Sequence, residues 1–224
     1  MALLEVINVK KWYEKKNMDR VVVLNEINTT VYKGELLSIL GKSGSGKSTL
    51  MYVMSGLLAP SEGTVLFNGE NITAYDDRKI SYFRNSEVGF IHQNFFLEPT
   101  YSALENVALP LIVKRVNRKL REKVAYEMLK KVGLEGREKH KPSELSGGEM
   151  QRVCIARAII SRPKIVFADE PTGNLDIENS GKIMHLLCGL AKEDMAIILA
   201  THDEQAARMS SRIIHISDGK LYEE

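Results

Sequence analysis

The chain has 224 residues, of which 44% are hydrophobic and 27% are charged, and its formal net charge is +2. A chain of this length and composition can bury one substantial α/β core, and so small an excess of positive charge gives no reason to expect nucleic-acid binding. Its apolar runs are too short to span a bilayer, and the N-terminus lacks the pattern of a signal peptide. We therefore expect a soluble cytoplasmic protein that reaches a membrane only through a partner.

The N-terminal stretch predicts short strands at Leu3–Val9, Val21–Leu24 and Thr29–Tyr32, with a polar turn between residues 14 and 20. Several strands in succession indicate an antiparallel β element beside the main sheet. The aromatic side chain of Tyr13 could stack on a nucleobase, but an aromatic residue at a strand end is more often a packing residue, and Trp12 is an equal candidate.

The segment after the apolar run at residues 36–40 carries the clearest chemistry. It fits G-x-x-x-x-G-K-[ST] at every fixed position and leads into an apolar helix with Leu50, Val53, Met54 and Leu57 on one side. In this setting backbone N–H groups and a helix N-terminus converge on a polyphosphate. The residues of this phosphate loop are Gly41, Lys42, Ser43, Gly44, Ser45, Gly46, Lys47 and Ser48. Lys47 can reach the β- and γ-phosphates and the Ser48 hydroxyl can bind Mg²⁺. The sequence predicts a nucleoside triphosphate site.

The next segment predicts a hairpin at residues 64–69, a short polar helix at residues 75–85 and a buried strand at Val88–Ile91. Gln93 follows that strand. It could bind Mg²⁺ or orient a water near a nucleotide, or it could be an ordinary polar residue that ends a strand.

Residues 94–143 predict a helical insertion. Leu120, Val124, Met128 and Val132 form an i, i+4 apolar stripe, and Gly133 is placed to end the helix. Six of the residues from Lys114 to Lys123 are basic and one is acidic. A solvated face is the default interpretation, and proximity to an anionic membrane surface is the alternative.

A second helix start follows at LSGGEMQR, residues 145–152. Ser146 and Glu149 have the spacing of a capping box, which alone explains the pattern. Ser146 with the Gly147 and Gly148 amides could also form a second anion site. Cys154 and Cys188 lie in apolar helical stretches without metal-ligand spacing, so we expect them to be core residues.

Two buried strands end in polar residues near the C-terminus. The strand at residues 165–168 leads into Asp169 and Glu170, which suit Mg²⁺ binding and polarisation of a water, respectively. The strand at residues 196–200 leads to His202, which we expect at the same sheet edge as Gln93 and Glu170, where ligands of open α/β sheets bind. A helix at residues 180–190 separates these strands, and a hairpin around Asp218-Gly219 follows them.

These motifs closely resemble, in type and order, those of the ATP-binding subunits of ABC transporters over essentially the full chain. The segment FADEPTGNLD at residues 167–176, GFI-x-Q at residues 89–93 and LENV at residues 104–107 resemble the MacB/LolD/FtsE-like branch, which serves lipoprotein release, macrolide or peptide efflux and cell division. His92 departs from the pattern, since relatives commonly carry a hydrophobic or aromatic residue there.

The resemblance implies a P-loop NTPase fold of the α/β class: a mainly parallel sheet with flanking helices, an N-terminal antiparallel β subdomain and a helical subdomain. It implies one domain over residues 1–224, with residues 1–93 and 152–224 forming the catalytic core and residues 94–151 the helical subdomain.

The resemblance also implies roles for residues. Glu170 would be the catalytic base, His202 would contact the γ-phosphate, and Asp176 would lie at a dimer interface. Mg²⁺ would be held by Ser48, Gln93 and Asp169. ATP would be contacted by Tyr13, residues Gly41 to Thr49, Gln93, Ser146, Gly147, Gly148 and Glu149.

The partners implied are a second copy, paired head to tail around two ATP molecules, and a permease on a separate chain that docks around residues 93–111. The chain would then be an ATPase at the cytoplasmic face of the membrane that powers export or extraction of a peptide, antibiotic or lipoprotein-like substrate. The alternatives are a soluble ABC ATPase of cofactor assembly, translation or DNA maintenance, and an ATPase that signals mechanically to cell-wall machinery.

Overall fold

The computed structural model describes residues 2–14, 20–192 and 194–223. The strands are β1 (Ala2–Glu14), β2 (Arg20–Tyr32), β3 (Leu36–Leu40), β4 (Glu62–Phe67), β5 (Glu70–Asn71), β6 (Val88–Ile91), β7 (Ile165–Asp169), β8 (Ala196–Thr201), β9 (Arg212–Ser217) and β10 (Lys220–Glu223). The helices are α1 (Lys47–Met54), α2 (Asp77–Glu87), α3 (Ala103–Val113), α4 (Arg118–Lys131), α5 (Gly147–Ile159), α6 (Ile177–Ala191) and α7 (Glu204–Ala207). The predicted α/β fold class is confirmed.

Two sheets organise these elements. The larger has the order β10-β9-β3-β8-β7-β6, in which only the β9–β10 pair is antiparallel. The smaller has the order β2-β1-β4-β5 and is antiparallel throughout. The predicted β element before the phosphate loop is therefore present, and the β4–β5 and β9–β10 hairpins are confirmed.

Strand alternation divides the core between the two faces of the larger sheet. On β7, Ile165 and Phe167 join α1 and the antiparallel sheet in one cluster, while Val166 and Ala168 join α3, α4, α5 and α6 in the other. Strands buried on both faces require continuous apolar sequence, and this is why β7 and β8 were recognisable without an alternating pattern.

Several predicted details are wrong. Val21–Leu24 and Thr29–Tyr32 belong to one strand, β2, because pairing with the long β1 strand continues through a β-bulge at which Glu26 has a φ of +55°. The turn predicted over residues 14–20 falls mainly on residues outside the described part of the chain. Leu57 lies beyond the end of α1 and is exposed, whereas Leu50, Val53 and Met54 are buried as predicted.

The apolar stripe predicted for α4 is also displaced. Ala125 and Leu129 are the buried residues of this helix, whereas Leu120 is 49% exposed. The helix is rotated so that Val124 and Met128 lie at the edge of the core, and the turn after the helix buries Val132. Gly133 ends the helix at a φ of +73°, as predicted.

Helix α5 runs across the predicted boundary between residues 151 and 152. The same helix therefore belongs to both the helical layer and the sheet, and the division into subdomains stays a prediction. Both cysteines are free thiols, with Cys154 buried in α5 and Cys188 half-buried in α6. Within the described ranges, none of the helices combines the length and the apolar character that crossing a bilayer requires.

Candidate active site

The predicted site residues gather at one edge of the larger sheet. The phosphate loop, Gln93, Glu170 and His202 follow β3, β6, β7 and β8, which lie side by side in the order β3-β8-β7-β6. Because these four strands are parallel, their carboxyl ends meet at the same edge, which is where ligands of open α/β sheets bind.

Helix α1 begins with its backbone amides available to a ligand. The residue before the helix, Gly46, has a φ of +104°, and an added Cβ atom would stand 3.0 Å from the Val23 carbonyl oxygen, so only glycine fits without strain. Among the described residues no side chain caps this N-terminus, and its first turn contains no acidic residue. The Ser45 hydroxyl is buried and has no hydrogen-bond partner in the described chain. These features fit an anion such as a polyphosphate.

Lys47 and Glu170 meet at this N-terminus. The Lys47 side chain is 5% exposed, and its ammonium group donates hydrogen bonds to the carbonyl oxygens of Gly41 (2.8 Å) and Lys42 (3.0 Å). It also lies 3.9 Å from Glu170 Oε1. A buried ammonium needs partners of this kind, and a bound phosphate would supply stronger ones.

Glu170 is connected to His202 as well. Glu170 Oε1 lies 3.0 Å from His202 Nδ1, and the Glu170 amide donates to the Ala200 carbonyl oxygen of the neighbouring strand. Glu170 adopts a φ of +45°, which is uncommon for any residue other than glycine, asparagine or aspartate. Such strain is typical of functional positions, and here it turns the carboxylate from the end of β7 toward Lys47.

Asp169 and Ser48 supply oxygen atoms suited to Mg²⁺. The Ser48 hydroxyl lies within hydrogen-bonding reach of the Asp169 carboxylate. Burial and the neighbouring Glu170 charge raise the pKa of Asp169, while the Ser48 hydrogen bond and the Lys47 charge oppose this rise. A buried carboxylate beside a hydroxyl is the kind of donor set that Mg²⁺ shares with phosphate oxygens, so these residues fit the ion.

Gln93 is brought close to the same group by the loop that follows β7. The Gly173 amide donates to the Glu170 carbonyl oxygen (3.1 Å), and the Asn174 side-chain amide donates to the Gln93 carbonyl oxygen (3.0 Å). Asn174 was not singled out from the sequence, although its place in the loop after Asp169-Glu170 was the available signal.

The segment after Gln93 is held by helix α5. The Arg157 guanidinium donates to the carbonyl oxygens of Phe95 (2.9 Å) and Phe96 (2.7 Å), and the Cys154 thiol donates to that of Phe95. His92 stacks on Phe90 with ring centroids 4.3 Å apart. Burial and the Arg157 charge lower the pKa of His92, so its neutral ring takes the place of an aromatic residue.

The second predicted anion site has a different construction. Ser146 and Glu149 form the predicted capping box at the start of α5. An added Cβ atom at Gly148 would stand 2.7 Å from Asn179 Oδ1, so glycine allows α5 to approach the first turn of α6. Asp176 caps that helix by accepting a hydrogen bond from the Asn179 amide, a role that the sequence alone did not indicate.

The two remaining predicted ATP contacts, the Ser146 site and Tyr13, lie on different elements from the phosphate loop. Helix α1 packs in the core cluster on one face of the larger sheet and α5 in the cluster on the other, so the Ser146 site and the phosphate loop are separate features of the molecule. Tyr13 is 46% exposed beside Lys11 near the end of the β1–β2 hairpin. The Val23 carbonyl of that hairpin reaches the phosphate loop at Gly46.

Comparison with known proteins identifies the family. The family profile of ABC transporters matches residues 24–173. The lipoprotein-releasing system ATP-binding protein LolD of Wigglesworthia glossinidia brevipalpis is 45% identical over 223 residues, covering 99% of this chain and 97% of that protein. The uncharacterized ABC transporter ATP-binding protein YvrO of Bacillus subtilis (strain 168) is 44% identical, with coverages of 98% and 95%.

Solved structures agree with these sequence relatives. A dimeric structure of MJ0796, a bacterial ABC transporter cassette, has a TM-score of 0.91 and 40% identity, covering 99% of this chain and 97% of that one. A dimeric post-hydrolysis state of the same cassette bound to ADP and Pi has a TM-score of 0.89 and 39% identity, with coverages of 98% and 98%. The chain therefore belongs to the ABC transporter family, as an ATP-binding and ATP-hydrolysing subunit.

Proposed function

We propose that this chain is the ATPase of a membrane complex and that Glu170 is its catalytic base. The observation that carries the assignment is the position of the Glu170 carboxylate, between the Lys47 ammonium (3.9 Å) and the His202 ring (3.0 Å), directly beyond the central strands. This arrangement supports general-base catalysis, because the carboxylate is oriented by its neighbours beside a phosphate-binding loop.

In the proposed site the loop from Gly41 to Thr49 binds the phosphates of ATP, and Tyr13 stacks on the adenine. Lys47 exchanges its carbonyl partners for the β- and γ-phosphates. Ser48, Gln93 and Asp169 would hold Mg²⁺, and that ion would supply charge neutralisation at the phosphate oxygens.

Glu170 accepts a proton from the water that attacks the γ-phosphorus atom. A bond forms between the water oxygen and phosphorus, and the bond to the β–γ bridging oxygen breaks, which leaves ADP and phosphate. His202 orients Glu170 through the observed contact and contacts the γ-phosphate.

We also propose a head-to-tail dimer. Because the Ser146 site and the phosphate loop are separate within one chain, each would serve a different ATP molecule: Ser146, Gly147, Gly148 and Glu149 would face the nucleotide of the partner subunit. Asp176 would lie at the interface. Ile177 is 90% exposed beside it, which supports an apolar contact there. Both solved structures of the related cassette MJ0796 are dimeric.

A permease on a separate chain would dock along the edge strand β6, which places the ATPase at the cytoplasmic face of the membrane. A cavity of about 190 Å³ at this edge is lined by Arg84, Phe90, Pro110 and Arg157, among others. Phe96, 66% exposed, lies nearby on the segment after Gln93. We propose that the complex exports or extracts a peptide, antibiotic or lipoprotein-like substrate, and the similarity to a lipoprotein-releasing system supports the last of these.

The Glu170→Gln variant tests the catalytic role. We expect it to bind ATP, to dimerise with ATP and to hydrolyse ATP at least about 100-fold more slowly, because the amide cannot accept the proton. Turnover close to that of the wild type would remove Glu170 from this role.

The same variant, tagged and purified from detergent-solubilised membranes with ATP, tests the partner. Recovery of one polytopic protein per two ATPase chains is expected. Recovery of soluble partners alone, with the ATPase absent from membranes, would contradict the membrane complex and favour an assembly ATPase.

A further inference from the structure

The turn between α3 and α4 presents a surface that combines exposed apolar side chains with cations. We define the α3–α4 turn surface as Ile112, Val113, Lys114, Arg115 and Lys119. Its two apolar residues are 44% and 69% exposed, respectively. We propose that this surface contacts anionic lipid headgroups of the membrane, a proposal that rests on the membrane location proposed above.

Core packing on both sides and backbone hydrogen bonds fix the conformation of this turn. Leu111 is buried, and Val116 packs against the core cluster on the helical face. Backbone hydrogen bonds join the Lys114 amide to Pro110, the Arg115 amide to Ile112 and the Val116 amide to Leu111. Between these two anchors, Ile112 and Val113 face outward. Apolar side chains held outward beside cations are typical of segments that lie at a membrane interface.

The charge of this segment is unusually one-sided. Six of the ten residues from Lys114 to Lys123 are cations, and the single acid, Glu122, is paired with Arg118 at 2.7 Å. Within the described chain, the side chains of Arg115 and Lys119 make no hydrogen bond or ion pair. Such free cations would complement a negatively charged surface.

The local structure would be more stable without some of these cations. Arg118 and Lys119 lie in the first turn of α4, where the helix dipole disfavours positive charge, and that turn contains no acidic residue among those described. Arg115 adopts a φ of +56°, a conformation that glycine or asparagine would adopt with less strain. Arg118 recovers stability through its ion pair with Glu122, but the local structure gives Arg115 and Lys119 no such compensation, which leaves both cations available to an anionic ligand.

The α3–α4 turn surface adjoins the edge of the larger sheet where we propose that the permease docks. The Lys114 ammonium donates to the Ser161 carbonyl oxygen (3.4 Å), and both Ser161 and Pro110 line the cavity at the β6 edge. If a membrane-embedded permease occupies that edge, the α3–α4 turn surface lies next to it.

Flotation of the purified full chain with lipid vesicles tests the proposal in the absence of a permease. We expect binding to vesicles of phosphatidylcholine with one quarter phosphatidylglycerol, weak binding to pure phosphatidylcholine, and release by salt. The test variant is Arg115→Glu with Lys119→Glu. Because each cation near such a surface is worth roughly a fivefold change in partitioning, we expect binding to fall at least about twentyfold.

The matched control is Lys33→Glu with Lys220→Glu, two exposed cations away from this surface, on the turn after β2 and at the start of β10, with the same change in net charge. It should retain most of the binding. Val113→Ser, which leaves the charge unchanged, should lower binding several-fold because less apolar surface inserts. ATP hydrolysis in solution should be unchanged in the test variant, so a failure of the catalytic assignment is detected separately.

Equal binding to neutral and anionic vesicles, no binding to either, or an equal loss in the test and control variants would each overturn the proposal. Loss of a copurified membrane protein in the test variant, without any vesicle binding by the wild type, would overturn it in favour of a protein-docking surface.

Discussion

Helices α1 and α5 both begin at sequences suited to anion binding, but among the described residues the first turn of α1 has neither a side-chain cap nor an acid, whereas that of α5 has Ser146 and Glu149 in a capping box. The amides of α1 therefore await a ligand, while those of α5 are partly satisfied without one. A bound anion would accept hydrogen bonds from the free amides of α1, whereas at α5 it would have to compete with the Ser146 and Glu149 side chains. In the dimer proposed above, α1 would therefore bind nucleotide within one chain, and α5 would add contacts only when a second chain brings its nucleotide close.

The largest effect is expected from Gly46→Ala, which strains the open N-terminus. A Cβ atom there would meet the Val23 carbonyl at a φ of +104°, so we expect ATP affinity to fall about 100-fold. A titration with a fluorescent ATP analogue measures this. Gly69→Ala is the control, because its φ of +80° imposes similar strain in an open turn. Equal affinities in the two variants would show that the loop geometry does not govern binding.

Thr49→Glu gives α1 the acid that α5 has at the same helical position. Glu149 is the third residue of α5, and Thr49 is the third residue of α1. The helix dipole would stabilise the new carboxylate, but that carboxylate would repel the phosphates. We therefore expect ATP to bind roughly tenfold more weakly, while the midpoint temperature of thermal unfolding stays the same or rises. Thr49→Gln is the control, because glutamine has nearly the size of glutamate but carries no charge. If both variants bind ATP alike, electrostatic repulsion is not the cause.

Ser146→Ala removes the cap of α5. The expected cost is about 1 kcal/mol in the free energy of unfolding. ATP affinity of the single chain should be unaffected, whereas hydrolysis at protein concentrations that allow dimerisation should fall by up to about tenfold. Denaturant unfolding, nucleotide titration and steady-state ATPase assays measure the three quantities. A loss of monomer affinity would show that α5 binds nucleotide within its own chain.

The smallest effect is expected from Glu149→Gln. The Ser146 amide holds the pKa of Glu149 below its usual 4.5, so the folded state favours the carboxylate. The stabilisation is therefore fully present above that pH and is lost as the pH falls through the lowered pKa. At neutral pH the variant should lose less than about 1 kcal/mol, and its stability should depend less on pH in the acid range. Unfolding curves between pH 3 and pH 7 test this; parallel profiles would contradict it.

The sequence predicted those parts of the molecule that local chemistry determines. The phosphate loop, the capping box at Ser146, the left-handed end of α4 at Gly133 and the gathering of Gln93, Glu170 and His202 at one sheet edge all follow from short patterns or from the rule for parallel strands. The family relation and the ATPase assignment are confirmed by the comparisons.

Features set by packing between distant segments were not predictable. The position of Ser48 against Asp169 depends on the meeting of α1 with β7, and the burial of Ala125 instead of Leu120 depends on how α4 is rotated against α3 and α5. The Asn174 contact with Gln93 joins residues 81 positions apart. Sequence spacing carries no information on such contacts.

Helix α5 connects two distant parts of the molecule, the Ser146 site and the segment after Gln93. Its 13 residues make a rod about 20 Å long, with Ser146 at one end and Arg157, clamped to the Phe95 and Phe96 carbonyls, near the other. If the proposed permease contacts residues 95–96, its displacement would tilt α5 as a lever and move Ser146. In the proposed complex, mechanical work would then pass in either direction along this helix, from the permease to the nucleotide or from hydrolysis to the permease.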